Sequence, residues 1–180
     1  MPFEFQKTKI SGVMIVKPRI FPDERGFFME TYKKSDFESA GICADFVQDN
    51  HSYSAFGVLR GIHFQKASHA QGKLVHAVEG SVWDVAVDLR PSSPTFKQWV
   101  GITLNSEEGT MLYLPPGCGH GFVVLSHTVH FLYKCTTEYA PQADGGIRWN
   151  DPDLAVAWPV DHPQVSEKDA ALPFFSEVSL

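Results

Sequence analysis

The stretch GVLRGIHFQKASHAQGKLVHAVEG, from Gly57 to Gly80, decides how this chain folds. It reads as a hairpin of two short strands, Val58 to Gln65 and Lys73 to Val78, joined by the loop Lys66 to Gln71 and bounded by glycine at both ends, which is expected to set Lys73 opposite His63. His63 stands six residues after Gly57, Gln65 two further on, and Lys73 seven before Gly80. A second stretch, GTMLYLPPGCGH from Gly109 to His120, sets Gly109, Pro115, Gly117 and His120 at fixed intervals.

Taken together, the two stretches resemble the two halves of the cupin motif, a small barrel that usually holds a metal on three His and one Glu. The second half matches that spacing at every point. In the first half Gln65 occupies the place of the second His and Lys73 the place of the Glu. A divalent transition metal needs lone pairs from neutral imidazole or carboxylate, whereas an ammonium brings positive charge and no lone pair. Two histidines and a glutamine leave too few good ligands for a catalytic metal. What remains suits proton transfer beside an anion stabilised by a fixed cation, with no metal. The resemblance implies an all-β fold: a cupin, or double-stranded β-helix (jelly-roll) barrel, with short helices and a C-terminal arm.

The rest of the chain agrees with a barrel. Period-2 segments alternate with Gly, Pro and Asn clusters. Strands are expected at Val13–Lys17, Gly26–Tyr32, Phe46–His51, Trp83–Leu89, Trp99–Leu104, Met111–Leu114, Gly121–Leu125 and Val129–Thr136. Ser35-Asp36-Phe37-Glu38 has capping-box spacing and predicts a short helix ending near Gly41. In the segment Trp83 to Leu89, apolar residues alternate with Asp84, Ala86 and Asp88, the pattern of a half-buried strand. From Ala140 onward turns dominate, until Ser166-Glu167-Lys168-Asp169 opens a last helical turn. One domain over residues 1–180 is expected: N-terminal strands and a short helix (1–45), a barrel core (46–139) and an arm (140–180).

At 180 residues the chain is long enough for one sizeable core. Its net charge of -6 disfavours nucleic-acid binding, which needs a basic face. No apolar run reaches membrane-spanning length, and the N-terminal MPFEFQKTK lacks a secretory signal, so a cytoplasmic protein away from membranes is expected. Cys43, Cys118 and Cys135 are odd in number and far apart, which argues for free thiols. Cys118 stands two before His120; a Cys–His nucleophile is one reading, a small buried thiol in a turn the plainer one.

The segments FPDERGFFMET, FVQDNHS, VLRGIHFQ, QGKLVHAVEGSVWDVAVDLR, SPTFKQWVG, LPPGCGHGFVVLS, FLYKCT, GGIRWNDPD and SEKDA, in this order, resemble the dTDP-4-dehydrorhamnose 3,5-epimerase family over nearly the whole chain. That resemblance implies inversion of C5 and then C3 of dTDP-4-dehydro-6-deoxy-glucose, without a cofactor. Both carbons flank the C4 ketone, so removing either proton gives an enolate. The family pattern makes His63 the base, Tyr133 the acid and Lys73 the group beside the enolate oxygen. Asp169 orients the base, although Ser166 and Asp169 also have the spacing of a helix cap. For the nucleotide sugar the pattern implies Arg25, Phe28, Glu30, Gln48, Asp49, Asn50, Arg60, His120, Asp144 and Lys168, with Phe21 and Phe28 suited to stacking on thymine. Asp144 stands where the pattern has Glu. The resemblance also implies a homodimer whose N-terminal loop reaches the neighbouring subunit's site.

Strict alternation puts Arg60 and His63 on opposite faces, so they share a ligand only if Gly61 bulges the strand. Three rival readings stay open: a C5-only epimerase or 3,4-ketoisomerase on the same barrel, a metal-dependent cupin oxygenase, and a non-catalytic sugar-nucleotide-binding cupin.

Overall fold

A computed structural model describes residues 2–180. In chain order the strands are β1 (Phe3–Lys7), β2 (Met14–Pro18), β3 (Phe21–Asp23), β4 (Gly26–Phe28), β5 (Gln48–Ala55), β6 (Leu59–Gln65), β7 (Lys73–Glu79), β8 (Ser81–Asp88), β9 (Trp99–Asn105), β10 (Met111–Leu114), β11 (Cys118–Val124), β12 (Thr128–Cys135) and β13 (Asp144–Gly146). Helix α1 (Lys34–Ser39) lies between β4 and β5, and α2 (Glu167–Ala170) follows β13. Two antiparallel sheets face each other, ordered β1-β2-β10-β7-β12-β5 and β13-β6-β11-β8-β9, with β3 and β4 forming a separate hairpin. No helix among the described residues is long and apolar enough to cross a membrane.

The space between the sheets is filled at one end by Val75, Ala77, Leu112 and Phe131 from the six-stranded sheet, against Val82, Ala86, Leu104 and Phe122 from the other. Burying one such side chain contributes about 1.5–3 kcal/mol, so this end is the stable floor. On the outer face of the six-stranded sheet, Phe37 and Ile42 cover Phe3, Val16, Leu74 and Met111. Outside the five-stranded sheet, Ile147, Leu154 and Trp158 cover Ile62, Val85 and Val87.

Several expectations need correction. Strand β6 does not pair with β7: the loop between them carries the chain from one sheet to the other, so His63 and Lys73 face each other across the barrel and not across a hairpin. Strand β8 is not half-exposed. Its apolar row packs under the C-terminal segment, while Asp84 and Ala86 point into the barrel, and Asp84 and Asp88 are both fully buried. Alternation reports two faces, but not which one water sees. Ser35 does not cap α1, whose N-cap is Lys33 with no side-chain bond; tertiary burial of Phe37 fixes the start instead. Strand β4 stops at Phe28, short of the expected Tyr32, and the sequence does not foretell β1, β3 and β13.

The bulge required at Gly61 is present. His120 pairs with His63 and Phe122 with Arg60, so three steps along β6 match two along β11. Gly61 has φ +129, and a Cβ there would lie 2.5 Å from the Gly121 Cα. Only glycine fits that conformation and that approach.

Candidate active site

Above the apolar floor the barrel opens into a cavity of about 370 Å³ lined by His63, Lys73, His120, Tyr133, Arg60 and Asn50, with Tyr139, Asp144 and Lys168 at its rim. His63 comes from one sheet; Lys73 and Tyr133 come from the other. The His63 Nε2 is 2.8 Å from the Asp169 carboxylate. Asp169 makes two contacts at once: its backbone N–H donates to the Ser166 hydroxyl, capping α2, while its side chain meets His63. Burial pushes the Asp169 carboxyl up. The hydrogen bond and charge of His63, helped by the Gly61 N–H, outweigh that and hold it below the usual carboxylate range.

The Lys73 ammonium forms no hydrogen bond or ion pair among the described residues. Burial holds its ammonium below the usual lysine range, against the pull of Cys135, Asp84 and Asp144. A half-buried cation with no partner is stabilised by any anion that enters. A second imidazole–carboxylate pair lies beside it, with the His120 Nε2 2.7 Å from the fully buried Asp84. Burial pushes the Asp84 carboxyl up, opposed by His120 and then Lys73. Burial also raises the Tyr133 phenol, opposed by a hydrogen bond to Ser52 and by Arg60.

Strand β5 lines one wall with small polar groups. Gln48, Asn50, Ser52 and Ser54 point inward, while Asp49, His51, Tyr53 and Ala55 are exposed. The inward row holds other side chains in place: the Arg60 Nε donates to the Ser54 hydroxyl at 3.1 Å, and the Tyr133 hydroxyl to Ser52 at 2.5 Å. Gln48 reaches Asn50 and the backbone N–H of Tyr139.

Not every expected contact gathers here. Asp49 points away from the cavity and pairs with Lys134 at 3.0 Å, because it occupies the outward phase of β5. Arg25, Phe28 and Glu30 sit on or beside the β3–β4 hairpin, away from this chain's cavity. Arg25 is exposed and pairs with Asp23, and Phe21 and Phe28 face each other with ring centres 6.4 Å apart. Lys168 and Asp144 make a 2.7 Å ion pair across the rim. Burial pushes the Cys118 thiol up to about 12, which removes it as a nucleophile at neutral pH. Among the described residues, no three His, Cys, Asp or Glu side chains converge as metal ligands.

Sequence reasoning missed Asp84, Ser52 and Tyr139. Asp84 was hidden because an Asp in a period-2 strand looks solvent-facing. Tyr139 carried one signal, an aromatic just past the FLYKCT strand, and it is half-exposed at the rim.

Comparison with known proteins decides the family, because the match runs through every element that builds this cavity. A family model described as dTDP-4-dehydrorhamnose 3,5-epimerase matches residues 7–177. The chain belongs to the dTDP-4-dehydrorhamnose 3,5-epimerase family. It is 54% identical to that enzyme from Pseudomonas aeruginosa, covering 91% of each chain. It is 50% identical to the Salmonella typhimurium enzyme, over 97% of this chain and 96% of the other. A Legionella pneumophila epimerase, solved in complex with dTDP-4-keto-L-rhamnose, superposes with a TM-score of 0.94 at 45% identity, covering 98% of this chain and 95% of that one. The family's cupin-type jelly roll is the fold described above.

Proposed function

We propose that the chain converts dTDP-4-dehydro-6-deoxy-D-glucose to dTDP-4-dehydro-L-rhamnose, an isomerase step in dTDP-L-rhamnose synthesis. The observation that carries this reading is the set of three groups opening into one cavity: a carboxylate-held imidazole on one wall, a phenol on the facing wall, and an unpaired, half-buried ammonium.

With Nε2 committed to Asp169, the His63 Nδ1 is the atom left to take the proton from C5. The C–H electrons pass into the C4 carbonyl, and the enolate oxygen meets Lys73. Tyr133, on the opposite wall, gives its proton to the other face of the carbon, so the centre inverts. Repetition at C3 completes the reaction. Positioned acid–base groups contribute about 10²–10⁴-fold, and a preorganised cation at the developing oxyanion about 10²–10³-fold. No cofactor or metal takes part, since imidazole, ammonium and phenol serve proton transfer and offer too few metal ligands.

Arg60, His120 and Asn50 bind the nucleotide sugar, Arg60 through its planar fork on the diphosphate. Asp144 and Lys168 open their ion pair to contact it, Gln48 holds Asn50 in place, and the Tyr139 ring gives thymine a flat stacking face. Arg25, Phe28 and Glu30 act on the partner's cavity in a homodimer. Support comes from the protruding hairpin, whose Phe27 and Phe28 are 62% and 64% exposed. The expected compartment is the cytoplasm, where Cys43, Cys118 and Cys135 stay as the free thiols they are here.

The test is turnover in D₂O followed by NMR. Deuterium at both C3 and C5 is expected, with product reduced by an NADPH-dependent dTDP-4-dehydrorhamnose reductase. Label at C5 alone assigns a single epimerase, and no label assigns a binding protein. His63→Ala is expected to abolish exchange at both carbons.

A further inference from the structure

Tyr133 does not stand alone. Its ring packs edge-on against Phe131, at 5.4 Å between ring centres, and against the His120 imidazole, at 6.2 Å, which limits where its hydroxyl sits. That hydroxyl donates to the Ser52 Oγ at 2.5 Å. Ser52 is on the neighbouring strand β5, paired with Phe131 in register and half-buried in the inward polar row. No other side-chain hydrogen bond is made by either hydroxyl among the described residues.

We propose that Ser52 is a positioning residue for the proton-donating step, holding the Tyr133 hydroxyl between turnovers and then donating to the phenolate that remains. This rests on the reading of Tyr133 as the acid. A serine hydroxyl is both donor and acceptor, and its hydrogen turns freely about the Cβ–Oγ bond. In the resting site Ser52 accepts. When the Tyr133 O–H bond breaks and its proton joins the substrate carbon through the enolate electron pair, an anionic oxygen is left beside Ser52. The Ser52 hydrogen stays bonded to its own Oγ and only rotates, turning a neutral hydrogen bond into a charge-assisted one without moving a heavy atom. Preorganised donors of this kind act where charge develops. The phenolate later regains a proton from water, as His63 loses one.

No other group facing the phenol is hydrogen-bonded to it among the described residues. Arg60 of β6 lends favourable charge, but its Nε is committed to Ser54. Asp84 of β8 and Cys135 of β12 work against a phenolate. His120 of β11 spends its Nε2 on Asp84, Asn50 of β5 donates to Cys135, and Lys73 of β7 is left to the enolate.

The experiment compares Ser52→Ala, Ser52→Thr, Tyr133→Phe and the double variant Ser52→Ala/Tyr133→Phe in the full-length protein, reading deuterium wash-in and completed inversion separately. Ser52→Ala is expected to keep KM and wash-in near wild type while slowing inversion about tenfold, the loss of one hydrogen bond to a charged oxygen. Ser52→Thr keeps the hydroxyl and restores most of that rate. The double variant is expected to be no slower than Tyr133→Phe alone. An absorbance titration near the phenolate band, differenced against the matching Tyr133→Phe background, reads the same bond without turnover. It is expected to show a higher phenol pKa in Ser52→Ala. Unchanged inversion in Ser52→Ala, equal loss of wash-in and inversion, or additive losses in the double variant overturn the proposal. Normal turnover by Tyr133→Phe overturns instead the assignment of the acid, whatever Ser52→Ala does.

Discussion

Asp169 and His63 are 106 positions apart in the chain and 2.8 Å apart in space. The contact crosses from the C-terminal segment to a barrel strand, and it decides which imidazole nitrogen faces the cavity. Asp169→Asn keeps the size and one hydrogen-bonding oxygen but loses the charge that stabilises the imidazolium. A drop in kcat of at least about 10²-fold with little change in KM is expected. Steady-state kinetics checks this, and a kcat within a few-fold of wild type removes Asp169 from the mechanism.

In the proposed mechanism the alkaline side of the pH profile belongs to Lys73. Its ammonium must be charged to hold the enolate, and burial favours the neutral form, so its proton leaves below the ordinary 10.5. The rate is therefore expected to fall as pH rises, before an ordinary lysine titrates. Lys73→Met is expected to lack this limb and to be slower by about 10²–10³-fold. A wild-type plateau extending past pH 10.5 contradicts the assignment.

Gly61→Ala tests the bulge. A methyl at φ +129, 2.5 Å from the Gly121 Cα, forces β6 and β11 apart or straightens the bulge, turning Arg60 away from the cavity. A stability loss on the order of 3 kcal/mol in urea unfolding is expected. Activity in the folded fraction should fall too, since Arg60 loses its face.

Acid stability is expected to centre on Asp88, which is fully buried and bonded to Arg90, Ser93 and Thr95. Burial pushes its carboxyl up, but those bonds outweigh it and hold it far below the ordinary 3.8. A depressed folded value contributes stability that is present above 3.8 and lost as pH falls below it toward the folded value. Asp88→Asn is expected to lose about 2 kcal/mol at neutral pH. It should also show a flatter decline than wild type as pH is lowered through that window. Equal slopes for the two proteins count against this role.

Much of the barrel was legible because its signals are local. Glycine spacing around His63 and Lys73, period-2 strands and Pro-Gly turns are set by backbone sterics, which act over a few residues. The inward polar row of β5 and the burial of Asp84 were not legible, because alternation shows two faces without saying which lines the cavity. The Gly61 bulge lay between: its need followed from Arg60 and His63, but its register is set by β11.

Sequence by itself determined the residue types at the site, imidazole, ammonium and phenol, which suit proton transfer better than chelation. Only the tertiary structure decided that His63 and Lys73 belong to different sheets, that Asp169 reaches the base from the far end of the chain, and that Asp49 points away. The reason is physical. Chain chemistry is local, whereas a cavity exists only when two sheets bury their shared face and bring distant residues within bonding distance.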